Sequence, residues 1–217
     1  TTDTNMTRDY FPPYQVLSSL QTNIFQTRLP KDTLVNITGD GDVSCYPHLL
    51  ELTKGIHDMG LPIHLGYTSG KGIDDVSTVD KLINNGVIET TYTAFSTDAK
   101  LREKWMHDPT ADVSIQALKR FCESCDVHAA SIIIPGVNDG DILAKTCADL
   151  ESWGAKALIL MRFANTANQG LILNNGPIIP GIKEQTLTEF ENLVRETAKN
   201  YNCLLYTSDA ADDLTRV

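Results

Sequence analysis

Five times along this chain a short apolar run breaks at a turn of glycine, hydroxyl or charged residues, and helical patterns fill the gaps between runs. The runs are 34–38, 62–67, 88–95, 128–134 and 157–163. Ile132-Ile133-Ile134 and Leu158-Ile159-Leu160-Met161 are continuously apolar, which marks strands buried on both faces. Repeated strand–turn–helix units of this kind make a parallel sheet with right-handed crossovers. They also bring every turn to the same, C-terminal edge. The expected fold is therefore α/β: a partial, TIM-like (β/α)6 barrel with its chemistry on one rim. Before the first run, Pro12-Pro13 leads into a helical pattern of Tyr14, Val16, Leu17, Leu20, Ile24 and Phe25. A barrel opens on a strand, so the first of six strands is expected to precede Thr1.

The helical stripes are clear. Leu49, Leu52, Ile56 and Met59 form one, ending at Gly60. Val76, Val79, Leu82 and Ile83 form another, with Asp74 and Asp75 in its first turn and Asn85-Gly86 as its cap. Leu187, Phe190, Val194 and Tyr201 mark the last. Cys122 and Cys125 invite a metal reading, but no second pair or suitably spaced histidine stands nearby. With Ile115 and Leu118 they make one face of a helix, so they read as core, as does Cys147 between Leu143 and Leu150.

Composition limits the function. The chain has 217 residues and a net charge of −10 with no basic cluster, which excludes a nucleic-acid partner. Its apolar runs are too short to cross a bilayer. Five irregularly spaced cysteines do not make a disulfide framework, and a reducing cytoplasm is expected. Residues 1–202 read as one partial barrel core. Residues 203–217 lack a helical or strand period and resemble the in-frame translation of a sequencing-library adapter. They are set aside as a non-native tail, with the natural protein expected to continue past Asn202.

The rim follows from the strand ends: Gly39-Asp40-Gly41-Asp42, then 66–72, 93–97, 135–139 and 161–165. Gly39 and Gly41 let backbone approach a ligand, and Asp40 or Asp42 can accept an amine, or cap the turn. Together the five ends suit a nucleoside bearing both charges.

At this point the residues resemble a radical S-adenosylmethionine (SAM) core. Gly39-Asp40-Gly41-Asp42 is similar to that family's Gly-Gly-Glu turn, which holds the methionyl amine. Ile132-x-Ile134-x-Gly136-x-x-Asp139 is similar to its Gly-x-Ile-x-Gly-x-x-Glu pattern beside adenine, placing Pro135 and Gly136 there. The resemblance implies that Thr93 and Ser96 offer polar groups to the ribose or carboxylate. It implies that Ser69 and Lys71 line the same site and that Met161, Arg162 and Phe163 pack on adenine; Lys71 can meet the SAM carboxylate or the substrate's surroundings, with a solvated loop lysine as its alternative. Tyr46, following the acidic turn, is the catalytic candidate, ligating or shielding iron; packing under the loop is its alternative. Arg162, at a strand end, can also form a bidentate carboxylate contact, with a rim salt bridge as its alternative.

Long stretches narrow the resemblance: the run 39–47, the run 64–72, and 160–165 followed by Gln169-Gly170. Across 10–202 they resemble the archaeal, cobalamin-dependent radical SAM methyltransferases of the methanogenesis marker protein ten family. That resemblance implies SAM, a 4Fe-4S cluster and cobalamin as cofactors, and an arginine of the methyl-coenzyme M reductase alpha subunit as substrate. Cys45, Cys122, Cys125 and Cys147 lack the family's three-cysteine spacing, so the resemblance implies a chain truncated at both ends: cluster ligands before Thr1, the cobalamin region after Asn202, and no turnover by the fragment. Other readings remain: another radical SAM class, a nucleotide-binding barrel without redox chemistry, and a Schiff-base lyase using Lys71. His48, His57 and His107 read as surface residues in helical stretches. His64 and His128, at strand starts away from the rim, receive no role.

Overall fold

The five apolar runs become five strands, and the stripes between them become the crossover helices. The computed structural model describes residues 10–30, 33–39, 41–165, 179–201 and 204–207. Strands β1 (Val35–Ile37), β2 (Ile63–Thr68), β3 (Val87–Thr93), β4 (Asp126–Ile133) and β5 (Ala157–Arg162) pair in chain order, every pair parallel. Helix α1 (Pro13–Gln26) precedes them, and α2 (Leu49–Asp58) and α3 (Ser77–Asn84) follow β1 and β2. A short α4 (Ala99–Leu101) runs into a π-helical turn at Arg102–Met106, and α5 (Ala111–Cys122), α6 (Gly140–Trp153) and α7 (Leu187–Ala198) follow. Among the described residues no helix is long and apolar enough to cross a membrane.

One expectation is corrected. Leu204–Thr207, set aside with the tail, forms a sixth strand, β6, parallel to β5. Pairing at a sheet edge is a backbone interaction. It needs no side-chain period, which is why the sequence pattern did not show it.

Right-handed crossovers between neighbours place every crossover helix on one face. Tyr92 marks that face: its ring meets Phe121 of α5, and its hydroxyl donates to the Ser114 carbonyl at 2.7 Å. Ile63, Leu65, Val127, Ala129, Ile133, Leu158 and Leu160 share one core with Leu52, Ile56, Leu82, Leu118, Leu150 and Phe190. Among the described residues no helix covers the opposite, open face, and Asn36 and Ile132 are exposed on it.

Local signals behave as their chemistry dictates. Gly60 and Gly86 adopt φ of 78° and 86° just after α2 and α3, the left-handed cap glycine favours. Asp75 accepts the Ser77 N–H at 2.9 Å ahead of α3. Helix α7 opens with a Thr186–Glu189 capping box. His107 differs from expectation: it is not helical but ends the π turn with φ 52°.

The core reading of the cysteines holds. Cys122, Cys125 and Cys147 are buried. Burial pushes the Cys122 thiol up to about 12 and the Cys125 thiol up to about 11. Both are therefore expected to resist iodoacetamide at pH 8 in the folded chain and to react once it is unfolded. The folded thiols keep protons that the unfolded chain gives up near pH 9. Stability contributed by these groups is thus full below that pH and falls as pH rises through about 11–12, which a denaturant series against pH will show.

Candidate functional site

The turn after β1 is stitched to the turn after β2. Asp42 accepts the Ser44 N–H at 3.0 Å, the Ser44 hydroxyl at 2.7 Å and the Thr68 hydroxyl at 3.0 Å. Its other oxygen takes the Ser69 N–H at 3.0 Å and the Ser69 hydroxyl. Five donors thus converge on one carboxylate, which leaves it little capacity for an outside amine. Gly72 N–H donates to the Ser44 hydroxyl at 3.0 Å. A Cβ at Gly72 would overlap the Ser44 carbonyl, and one at Gly70 the Tyr92 hydroxyl. The glycines around Lys71 therefore serve close packing.

A second knot joins β2 to β3. Arg102 is fully buried and uses all five N–H donors. Nε and Nη2 meet Asp108 Oδ2 at 3.1 and 2.8 Å. Nη1 reaches the carbonyls of Thr93 and Ala94 at 3.1 and 2.6 Å, and Nη2 that of Ser69 at 2.6 Å. Asp108, also buried, accepts from the Ser114 hydroxyl and the Thr110 N–H, both at 3.2 Å. Lys71 is held nearby, its ammonium donating to the Met106 carbonyl.

A third knot joins β3 to β4. Phe95 turns the chain with φ 56°. Its carbonyl accepts from the Ser131 hydroxyl at 2.8 Å and the Asn138 amide at 3.0 Å. Asn138 also takes the Ile134 N–H at 2.7 Å. At the end of β5, Arg162 Nη1 contacts Glu184 at 3.0 Å and the Gln185 carbonyl at 2.9 Å. Phe95, Ile134 and Phe163 form a small apolar cluster on this rim with Trp105, Ile179 and Ile182 beside it.

All described candidates thus stand at the C-terminal ends of β1–β5, but several side chains are turned inward to partners in the chain. Asp42 and Ser69 bind each other, Lys71 binds Met106, and Arg162 makes the rim salt bridge. Ser96 is buried, 3.4 Å from the Thr146 hydroxyl, and accepts the Asp98 N–H. Phe163 is buried in the rim cluster. Gly39 and Gly136 are exposed, Gly41 and Pro135 half-buried, while Thr93 and Met161 lie half-buried on the open face. Gly136 N–H reaches back to the Asp139 carboxylate at 3.0 Å. Asp40 lies outside the described residues, as do Gln169 and Gly170.

Tyr46 is committed as well. Its hydroxyl donates to the Phe11 carbonyl at 2.6 Å, and its ring sits 5.9 Å from Tyr10 and 5.8 Å from His48. Burial, then the Glu51 charge, raises its phenol. Beside it opens a cleft of about 630 Å³, lined by Ser44, Cys45, His48, Glu51 and Asp74 among others.

The sequence reading missed Arg102, Asp108 and Asn138. Nothing local distinguishes them: Arg102 lies in a charged helical run that reads as a solvated face, and Asp108 precedes a proline.

Together, the parallel order, the helices on one face and the knotted C-terminal rim make this a parallel, partial-barrel α/β fold, and solved radical SAM enzymes share that fold. Among solved structures, it resembles Streptococcus suis SuiB bound to S-adenosylmethionine, with a TM-score of 0.66 at 15% identity, over 94% of this chain and 45% of that one. A radical SAM methyltransferase from Sphaerobacter thermophilus gives 0.53 at 15% identity, over 90% of this chain and 55% of that one. A domain of pyruvate-formate lyase-activating enzyme from Bacteroides vulgatus gives 0.59 at 13% identity, over 80% and 98%. No protein-family description and no curated protein sequence matches the chain.

The implied iron–sulfur cluster does not fit the described residues. Cys122, Cys125 and Cys147 are buried in the core, Cys45 lies exposed in the first rim loop, and among the described residues no three metal-binding groups converge.

Proposed function

We propose that this chain is the SAM-binding core of a radical SAM C-methyltransferase, and that the whole enzyme methylates an arginine carbon of the methyl-coenzyme M reductase alpha subunit. The observation that carries the reading is the rim: every turn singled out in the sequence stands on one edge of a fold shared with a SAM-bound structure and a radical SAM methyltransferase. The long stretches around 39–47, 64–72 and 160–165 support the narrower assignment.

In this class the cluster and SAM supply a radical, and cobalamin supplies the methyl group. This chain's part is to bind and orient. Exposed backbone at Gly39 and Gly136, the latter with its N–H already held by Asp139, can approach a nucleoside without a side chain in the way. Thr93 and Met161 line the approach from the open face, one polar and one apolar. The three knots beneath keep these atoms in place, and place matters because about 1 Å of misplacement can cost about a hundredfold in rate.

Equilibrium dialysis with labelled SAM tests the proposal. The chain is expected to retain SAM and, lacking cluster ligands, to transfer no methyl group to an arginine peptide. Absence of SAM binding at millimolar concentration overturns the assignment, and methyl transfer by the chain alone overturns its role as a partial core.

A further inference from the structure

The open face of the sheet carries a cluster that the rim does not use. Register sets Asn36, His64 and Glu89 side by side across β1, β2 and β3, and Thr91 beside His128 across β3 and β4. His64 and His128 each turn Nδ1 to the same Glu89 oxygen, at 3.8 and 3.6 Å. Those separations exceed a hydrogen bond, and among the described residues no hydrogen bond reaches the Glu89 carboxylate. Its side chain is nonetheless only 28% exposed.

Among the described residues, no lysine or arginine pairs with it. Burial holds the His64 imidazole below its ordinary range, against the opposing pull of Glu89. His64 Nε2 is occupied at 3.0 Å by the Thr91 hydroxyl. Asp126, opposite Glu89 on β4, pairs with Lys156 at 3.5 Å. Among the described residues, no strand position on this face is a lysine or arginine. Further along the strands the face becomes apolar, with Ala130, Ile132, Ile159 and Met161. A half-buried, under-bonded carboxylate below an apolar slope is complementary to a cation on an aliphatic stem.

We infer that Glu89 anchors a basic side chain of a peptide laid along the open face. The inference rests on the peptide-modifying reading above and adds a recognition site to it. Glu89 stands four residues before Thr93 at the rim, about 13 Å at the usual rise of about 3.3 Å per residue. An arginine side chain cannot span that distance. The anchored residue is therefore a second lysine or arginine, not the one modified at the rim. Side chains on one face of an extended peptide recur at every second residue, so the two sit two or four positions apart.

The test uses the full 217-residue chain and the capped peptide Ala-Ala-Arg-Ala-Ala, with its citrulline counterpart as the neutral, near-isosteric control. At pH 8 the arginine peptide is expected to bind about tenfold more tightly than the citrulline peptide, and Glu89→Gln to remove that preference. The His64 and His128 imidazole NMR signals should shift with the arginine peptide alone. Equal binding of the two peptides, or of parent and Glu89→Gln, overturns the inference. SAM dialysis in parallel separates the two claims: SAM retained with Glu89 indifferent overturns the anchor alone. Arginine capture dependent on Glu89 without SAM binding supports the anchor and overturns the functional reading.

Discussion

Arg102→Met is expected to cost this chain about 3–5 kcal/mol of stability, the scale for breaking a buried ion pair by removing one partner. The reason is geometric. The guanidinium holds three carbonyls at the ends of β2 and β3 besides Asp108, and both charged side chains are fully buried. Methionine fills much of the volume but leaves the Asp108 carboxylate buried and the carbonyls of Ser69, Thr93 and Ala94 without these donors. Arg102→Lys does not rescue it, because one ammonium cannot present five donors in a planar fork. Urea unfolding followed by circular dichroism measures the loss. A change under about 1 kcal/mol would show that water replaces the guanidinium and that the knot is not structural.

Asp42→Ala is expected to cost about 2–4 kcal/mol, because hydrogen bonds to a charged group are the strong ones and several donors lose their acceptor together. The variant removes the link between the first and second rim turns: Ser44, Thr68 and Ser69 all donate to this carboxylate. Asp42→Asn should be milder, since its amide oxygen keeps one acceptor while its NH2 faces the remaining donors. The same experiment decides between two roles. If Asp42 is mainly a SAM ligand, the alanine variant keeps its unfolding midpoint and loses SAM affinity. If it is mainly a stitch, the midpoint falls even without SAM. The five bonds in the structure predict the second result.

How much of this was legible beforehand depends on the range of each signal. The strands over 34–38 and 157–163, the Gly60 and Gly86 caps, and the buried stripe of Ile115, Leu118 and Cys122 came from periods and turn residues a few positions apart. Those signals also place the turns on one rim, because parallel crossovers leave no other arrangement. Whether Lys71 faced a ligand or the Met106 carbonyl was not legible, since the two are 35 residues apart. The same holds for Ser96 against Thr146 and for Arg162 against Glu184.

By itself, then, the sequence determined the α/β class, the strand order, the helix-covered core and the edge of the sheet where the unusual residues gather, because hydrophobic period and turn chemistry act locally and each strand pairs with the next. Contacts made on folding settled which of those residues were already bonded to one another, that buried Arg102 ties the rim together, that Leu204–Thr207 adds a strand beside β5, and that Glu89 stands between two histidines on the open face. These depend on register and on contacts between distant segments, and no residue carries a local mark of the partner that folding brings to it.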